Sequence, residues 1–337
     1  MKVADRPVEL DQQLLRDLTN FVPSEVFDAH AHLVMPAANL APHLDGQRFG
    51  LKEYLRRVGS WLPGMQAGAL VFGFPSRGND RVAINRWVGE EIDQGELPGV
   101  FRGLVLTAPQ DDPRQVEALL AGKVFVGIKP YHVYAPMADT RQAKIEEFAP
   151  EWMWDLCHAH DGVLMLHVMR DRAISDESNL ATLARLTRRY PRCRLILPHI
   201  GRSFSYRLAK GLASLAGQDN VWVDTSAITE RETLRFAIEA LGSDRVLFGT
   251  DFPISNLRGR CVATGSFFSW VYAENEPPVS EADNPGQMTL IGIESLLCLK
   301  EAAEDCSLGA SEVAGIFSGN AQRLLANHLD PAEGLRG

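Results

Sequence analysis

Short, almost wholly apolar runs recur along this chain at a steady interval. They cover residues 26–33, 67–75, 101–109, 123–131, 162–169, 193–200, 221–227 and 244–253. Each is rich in Val, Leu, Ile and Phe on both parities, and several close on Pro or Gly. That pattern belongs to strands buried on both faces. Amphipathic stretches of helical period lie between them, at 52–62, 80–92, 112–120, 145–158, 180–190, 206–215 and 230–241. Strand alternating with helix requires crossover connections and a parallel sheet. Eight such units in 337 residues predict an α/β fold, a closed (β/α)8 TIM barrel, in preference to a doubly wound open sheet.

Two segments fall outside the repeat. Residues 1–22 read as a polar N-terminal extension with one helix over 10–18, ahead of a single barrel domain spanning 23–330. Residues 254–287 form a long connection after the eighth strand, carrying Arg258, Arg260, Trp270, Tyr272 and the pair Pro277 and Pro278. In a barrel this is a βα loop on the catalytic face, and its aromatic content predicts an ordered lid. Residues 288–327 read as one or two closing helices.

Composition narrows the partners. Lys plus Arg number 34 against 43 Asp plus Glu, a formal charge of −9. An acidic chain without a basic run is a poor partner for nucleic acid or an anionic membrane. The apolar runs, such as 69–74, are far too short to cross a bilayer, and residues 1–6 have no apolar core behind them, so they do not read as a signal peptide. The five cysteines are scattered, odd in number and form no CxxC pair. They predict reduced thiols in a cytoplasmic protein rather than a disulfide frame or a thiolate zinc site. A small molecule is the partner that remains, with a homodimer as the default assembly.

The chemistry sits at strand ends. The first strand contains Asp28-Ala29-His30-Ala31-His32, where alternation puts His30 and His32 on one face. Two such imidazoles either share a metal or are hydrogen-bonded in a packed interior. The fifth run leads into His167, the sixth into His199, and the eighth into Gly249-Thr250-Asp251-Phe252-Pro253. An ionisable group closing a buried strand is costly unless it is paired, ligated or at a wet mouth. In a parallel barrel all strand C-termini lie on one face, so these five residues converge there. Three imidazoles and a carboxylate suit zinc, and also manganese, iron or cobalt. Such an ion acidifies its bound water, and a neighbouring carboxylate can take the proton during attack.

These motifs, in this order across residues 26–253, resemble the amidohydrolase superfamily. The likeness is to its amidohydrolase-related (amidohydrolase 2) branch, with aminocarboxymuconate-semialdehyde decarboxylase-like enzymes and lactonases. The resemblance implies His30, His32, His167 and Asp251 as ligands of one divalent ion per chain, zinc with manganese as the alternative. It implies His199 as the group that polarises substrate or assists proton transfer, with Asp251 as the catalytic proton shuttle. Lys129 on the fourth strand stands where two-metal members carry a carboxylated lysine. Here it is read as a plain ammonium that binds a substrate carboxylate or a neighbouring aspartate.

Asp28 shares the parity of His30 and His32, one layer deeper. It either orients a ligand or is a satisfied buried acid, and Asp224 on the seventh strand is similar. Tyr131, Arg170 and Arg202 follow strands four, five and six and are expected to contact substrate, Arg202 ahead of Arg170. A guanidinium grips a carboxylate bidentately, which hints at an acidic substrate. His132 and Tyr134 are placed at the same mouth, while His43, His158, His160 and His328 are assigned no catalytic role. The expected reaction is hydrolysis of a small, carboxylated lactone, ester or amide by metal-bound water; the alternative is a metal-dependent non-oxidative decarboxylase. Val168, Met169 and Arg170 after His167, rather than proline, favour hydrolysis.

Overall fold

A computed structural model describes residues 3–35, 44, 47–62, 68–94, 97–265, 267–273 and 288–329. Eight parallel strands follow one another in chain order: β1 (Phe27–Leu33), β2 (Gly68–Gly73), β3 (Val100–Thr107), β4 (Phe125–Pro130), β5 (Val163–Met165), β6 (Arg194–Leu197), β7 (Val221–Asp224) and β8 (Val246–Leu247). Hydrogen bonds from Ala29 N to Phe248 O, from Asp251 N to His30 O and from His32 N to Phe252 O bring the last strand back to the first. The fold is therefore a (β/α)8 TIM barrel.

Helices begin where the sequence supplies caps. The Asp80 carboxylate accepts from Ala83 N ahead of Arg81–Asp93, and Asp112 accepts from Arg114 N ahead of Pro113–Leu120. Asp176 accepts from Ser178 N and Asn179 N at the start of Glu177–Arg189. Each satisfies amide protons that a helix start leaves free. The predicted helix over 145–158 is two helices, Ile145–Phe148 and Glu151–Ala159, broken at Pro150, which has no amide proton to continue the ladder.

Phe27, Ala29, Leu70, Phe72, Leu104, Val126, Met165, Ile196 and Leu247 fill the barrel interior, and Ala321, Leu324 and Leu325 pack onto its lower end. Arg102 and Arg194, near the strand starts, donate to His328 O and Leu324 O. The C-terminal segment thus seals the end opposite the catalytic face. That segment comprises Ile291–Asp305 and then a helix interrupted by a π-turn at Gly315–Gly319.

β1 carries a bulge. Asp28 pairs with Ala69 and Ala31 with Val71, so one extra residue lies between them. A one-residue slip exchanges the two faces of a strand. Below the bulge Phe27 and Ala29 face the interior, while above it Ala31 and Leu33 join the outer core. His30 and His32 therefore turn inward and Asp28 turns outward, toward Tyr54 of the helix Leu51–Val58. Simple alternation, which set Asp28 beneath the histidines, fails at this bulge.

The connection after β8 is an antiparallel hairpin, β9 (Gly259–Thr264) and β10 (Phe267–Tyr272). Most of its remainder, 274–287, lies outside the described residues, as does His43. The N-terminal helix Glu9–Leu18 is bound in through buried Asp11. That carboxylate accepts from Arg258 Nη2 at 2.6 Å, Thr289 Oγ1 at 2.6 Å and Val8 N at 2.8 Å. Among the described residues no helix is long and apolar enough to cross a membrane.

Candidate active site

The side chains gathered at the strand C-termini start from one carboxylate. Asp224, the last residue of β7, is fully buried. Its Oδ2 accepts from His30 Nδ1 at 2.9 Å, and its Oδ1 accepts from His199 N at 2.9 Å and Ser226 N at 3.2 Å. The Ser226 hydroxyl also donates to Oδ1. Burial alone would raise this carboxyl, but the His30 and His199 imidazoles and these donors hold it well below the usual carboxylate range.

The bond to Asp224 fixes the His30 tautomer. With the proton on Nδ1, Nε2 carries a lone pair. That nitrogen lies 3.4 Å from His32 Nε2 and 3.5 Å from Asp251 Oδ1, and His32 Nε2 is also 3.5 Å from the same oxygen. A point equidistant from three atoms so spaced lies about 2 Å from each, the length of a zinc–nitrogen or zinc–oxygen bond. The donor set therefore fits a divalent cation. Burial keeps the His30 imidazole below its ordinary pKa and His32 well below, so both hold the neutral form a ligand needs. Asp251 is raised by burial, against the pull of His199 and His30. A second cluster, His30 with His199 and Asp224, is held by the hydrogen bonds already described.

The backbone around these groups is unusual. His199, Ile200, Gly201 and Arg202 all take positive φ, between 54° and 64°, and Asp251 has φ 55°. L-residues pay for this conformation, and it persists only where neighbours impose it. Asp224 holds His199 through its amide, and the Asp251 amide donates to His30 O at 2.8 Å. Asp28 fixes the residue before it, accepting from Thr250 N and His30 N, each at 2.9 Å. Tyr54 also donates to Asp28 at 2.9 Å. Burial outweighs these donors and raises Asp28 to about 7.

His199 Nδ1 donates to Ser226 O at 2.9 Å, which leaves its Nε2 4.0 Å from Asp251 Oδ2. His167 lies two residues past the end of β5, its ring 5.3 Å from His199 and 5.2 Å from Tyr131. It belongs to neither three-residue cluster of ligating atoms, and its Nδ1 is buried without a hydrogen-bond partner. Lys129 is fully buried. Its Nζ stands 5.0 Å over the Phe72 ring and 5.5 Å over Tyr131 with no hydrogen-bond partner, and burial pushes it down to about 7.

The arginines differ. Arg170 Nε lies 3.0 Å from Asp176 Oδ1, whereas no carboxylate among the described residues pairs with Arg202. Arg202 Nη1 donates to Arg170 O at 3.3 Å, and its guanidinium stands 5.2 Å from the Phe268 ring centre. Tyr134 is turned aside, accepting from Ser76 N beneath the Arg81 guanidinium. A cavity of about 620 Å³ opens between the loops after β2 and β4, lined by Phe74, Arg77, Val133 and Thr140. Phe74 packs against His32 at its edge. His158, His160 and His328 bond elsewhere, to Arg192 N, Glu117 and Asp161 O.

The sequence leaves Asp224, like Asp28, between a ligand-orienting role and a satisfied buried acid, and does not single out Ser226 or Phe204. An acid closing the apolar run of β7 is the same signal that singled out Asp251.

A parallel barrel whose strand ends gather imidazoles and carboxylates around one point is the architecture of metal-dependent barrel enzymes. Residues 27–326 match the amidohydrolase family model, and the chain belongs to that family of enzymes. It is 27% identical over 227 residues to an L-fucono-1,5-lactonase of Burkholderia ambifaria, covering 61% of this chain and 71% of that protein. Among solved structures it is similar to a zinc-bound amidohydrolase of Burkholderia multivorans (TM-score 0.59, 17% identity, 90% of this chain and 99% of that one). It is also similar to a manganese- and inhibitor-bound dihydroxybenzoic acid decarboxylase of Polaromonas (TM-score 0.56, 18% identity, 91% and 98%).

Proposed function

We propose that this enzyme hydrolyses a small, carboxylated lactone, ester or amide and uses one divalent cation per chain, zinc with manganese as the alternative. The observation that carries the proposal is the triangle of His30 Nε2, His32 Nε2 and Asp251 Oδ1, braced by Asp224. The lactonase relative and the zinc- and manganese-bound neighbours support it. His30, His32 and Asp251 would hold the ion, with His167 as a further ligand from the rim. When bound, the cation supplies Lewis-acid polarisation and acidifies water at the site.

The protein groups then divide the work. Asp251 takes the proton from the attacking water and returns it to the leaving oxygen or nitrogen. His199, its Nδ1 proton given to Ser226 O, presents an unprotonated Nε2 to the same space. It can receive that proton from Asp251 on its way to the leaving atom, and while it holds it, as an imidazolium, it stabilises the developing oxyanion. Arg202 takes the substrate carboxylate, and Lys129 stays an uncarboxylated amine that, with Tyr131 and Arg170, lines the substrate side. The single barrel domain over 23–330, a cytoplasmic location and a homodimer complete the proposal, the location supported by five free cysteines.

The second reading is a metal-dependent non-oxidative decarboxylase, supported by the likeness to the decarboxylase barrel. There a protonated site group delivers its proton to carbon as carbon dioxide leaves. Turnover in ¹⁸O-labelled water separates the two. Hydrolysis places label in the organic product, and carbon dioxide release with no label in the organic product establishes the lyase.

A further inference from the structure

The hairpin after β8 has two unlike faces. Its register sets Phe268 opposite Ala263, Trp270 opposite Cys261 and Tyr272 opposite Gly259. Residues directly opposite share a face, so three aromatic rings lie across three small residues. The outer face holds Phe267, 70% exposed, and Ser269. The base is pinned to the β7 loop, where Thr229 Oγ1 donates to Cys261 O and accepts from Cys261 N, each at 3.0 Å.

The aromatic face is joined to the reaction centre. Phe204 stacks on His199 at 5.5 Å and 29°, and meets Phe268 at 4.7 Å and Trp270 at 5.3 Å. Trp270 and Tyr272 lie parallel within 11°. Burial, with the Asp251 charge adding to it, raises the Tyr272 phenol to about 12, so that phenol lies within the field of the site. Phe268, Trp270 and Tyr272 nonetheless stay half-exposed. An aromatic ladder left half-wet beside a buried polar centre gains most when a ligand covers it. Its polar atoms are one phenol and one indole nitrogen, too few to satisfy the hydroxyls of a sugar ring. Ring faces, with the Arg202 guanidinium that no carboxylate among the described residues pairs, suit a flat acid.

We propose that the β9–β10 hairpin is the specificity wall of this site, selecting a flat, conjugated ring that carries a carboxylate over a puckered or polyhydroxylated one. The proposal rests on the reading that reaction occurs at His30, His32 and Asp251, and it narrows the substrate of that reading.

Binding to the metal-loaded enzyme, measured by calorimetry without turnover, tests it with benzoate and cyclohexanecarboxylate, acids of similar size that differ in flatness. Benzoate is expected to bind about tenfold more tightly, the range of aromatic pair energies. The double variant Phe268→Leu/Trp270→Leu should erase that preference, Trp270→Phe should retain it, and Phe267→Ala on the outer face should leave it unchanged. Equal affinity for the two acids, no benzoate binding, or a preference that survives the double variant overturns the wall. If the pattern holds while neither lactones nor acids are turned over, the wall stands and the reaction assignment falls. If lactones are hydrolysed while the pattern fails, the reverse holds.

Discussion

The Asp224 carboxylate holds His30 by its Nδ1 proton at 2.9 Å, across 194 residues of chain. This contact decides which nitrogen of His30 faces Asp251. Asp224→Asn substitutes an amide that can donate where an acceptor is needed. Metal affinity is expected to fall about 10- to 100-fold, the usual effect of removing such a partner, with the fold retained by circular dichroism. A titration against a competing chelator measures it, and unchanged affinity would contradict the brace.

Arg202 is the half of the arginine pair that no carboxylate among the described residues engages, whereas Arg170 is paired with Asp176. Arg202→Ala should raise KM for a carboxylated substrate about tenfold or more, with a smaller change in kcat, because a charged hydrogen bond is worth about 1.5–3 kcal/mol. The uncharged amide or methyl ester of the same substrate should show no such change. Equal losses on both substrates would remove Arg202 from carboxylate binding.

Lys129 should make stability depend on pH in a definite sense. Its amine is pushed from 10.5 down to about 7 by burial, so the unfolded chain binds the extra proton. Stability then rises with pH between about 7 and 10.5, and the burial penalty is complete below 7. Lys129→Met should therefore be more stable than the parent at pH 6, with the difference vanishing near pH 10.5 in urea unfolding. A variant less stable at pH 6 would mean that the ammonium is paired.

Asp11 behaves in the opposite sense. Burial raises its carboxyl, but Arg258, Thr289 and Val8 outweigh burial and leave it lowered from 3.8. Its contribution is full above the unfolded value and is lost as pH falls through the folded one. Asp11→Ala should cost about 3 kcal/mol at pH 7, since it strands a partly buried arginine, and much less at pH 2. A uniform loss at both pH values would refute the ion-pair account.

The barrel was legible because each strand is apolar on both parities and each helix amphipathic, a local signal repeated eight times. His30, His32, His199 and Asp251 were legible because an ionisable group at a buried strand end is conspicuous. The role of Asp224 was not, because it depends on a contact between β7 and β1. Nor was the outward turn of Asp28, which follows from one extra residue in β1 that no pattern marks. Residues 254–287 read as an aromatic lid, yet the pairing of Trp270 with Cys261 is a matter of hairpin register. The left-handed turn at His199–Arg202 is imposed by Asp224 and has no propensity signal at Ile200 or Arg202.

Elemental analysis of the purified chain and two variants tests the central claim most directly. One equivalent of a divalent metal per chain is predicted for the parent, none for His30→Ala, and a strongly reduced content for Asp251→Asn, with turnover abolished in both and thermal unfolding still cooperative. Two equivalents would contradict the single-ion account. Full metal content and activity in His30→Ala would contradict the site itself.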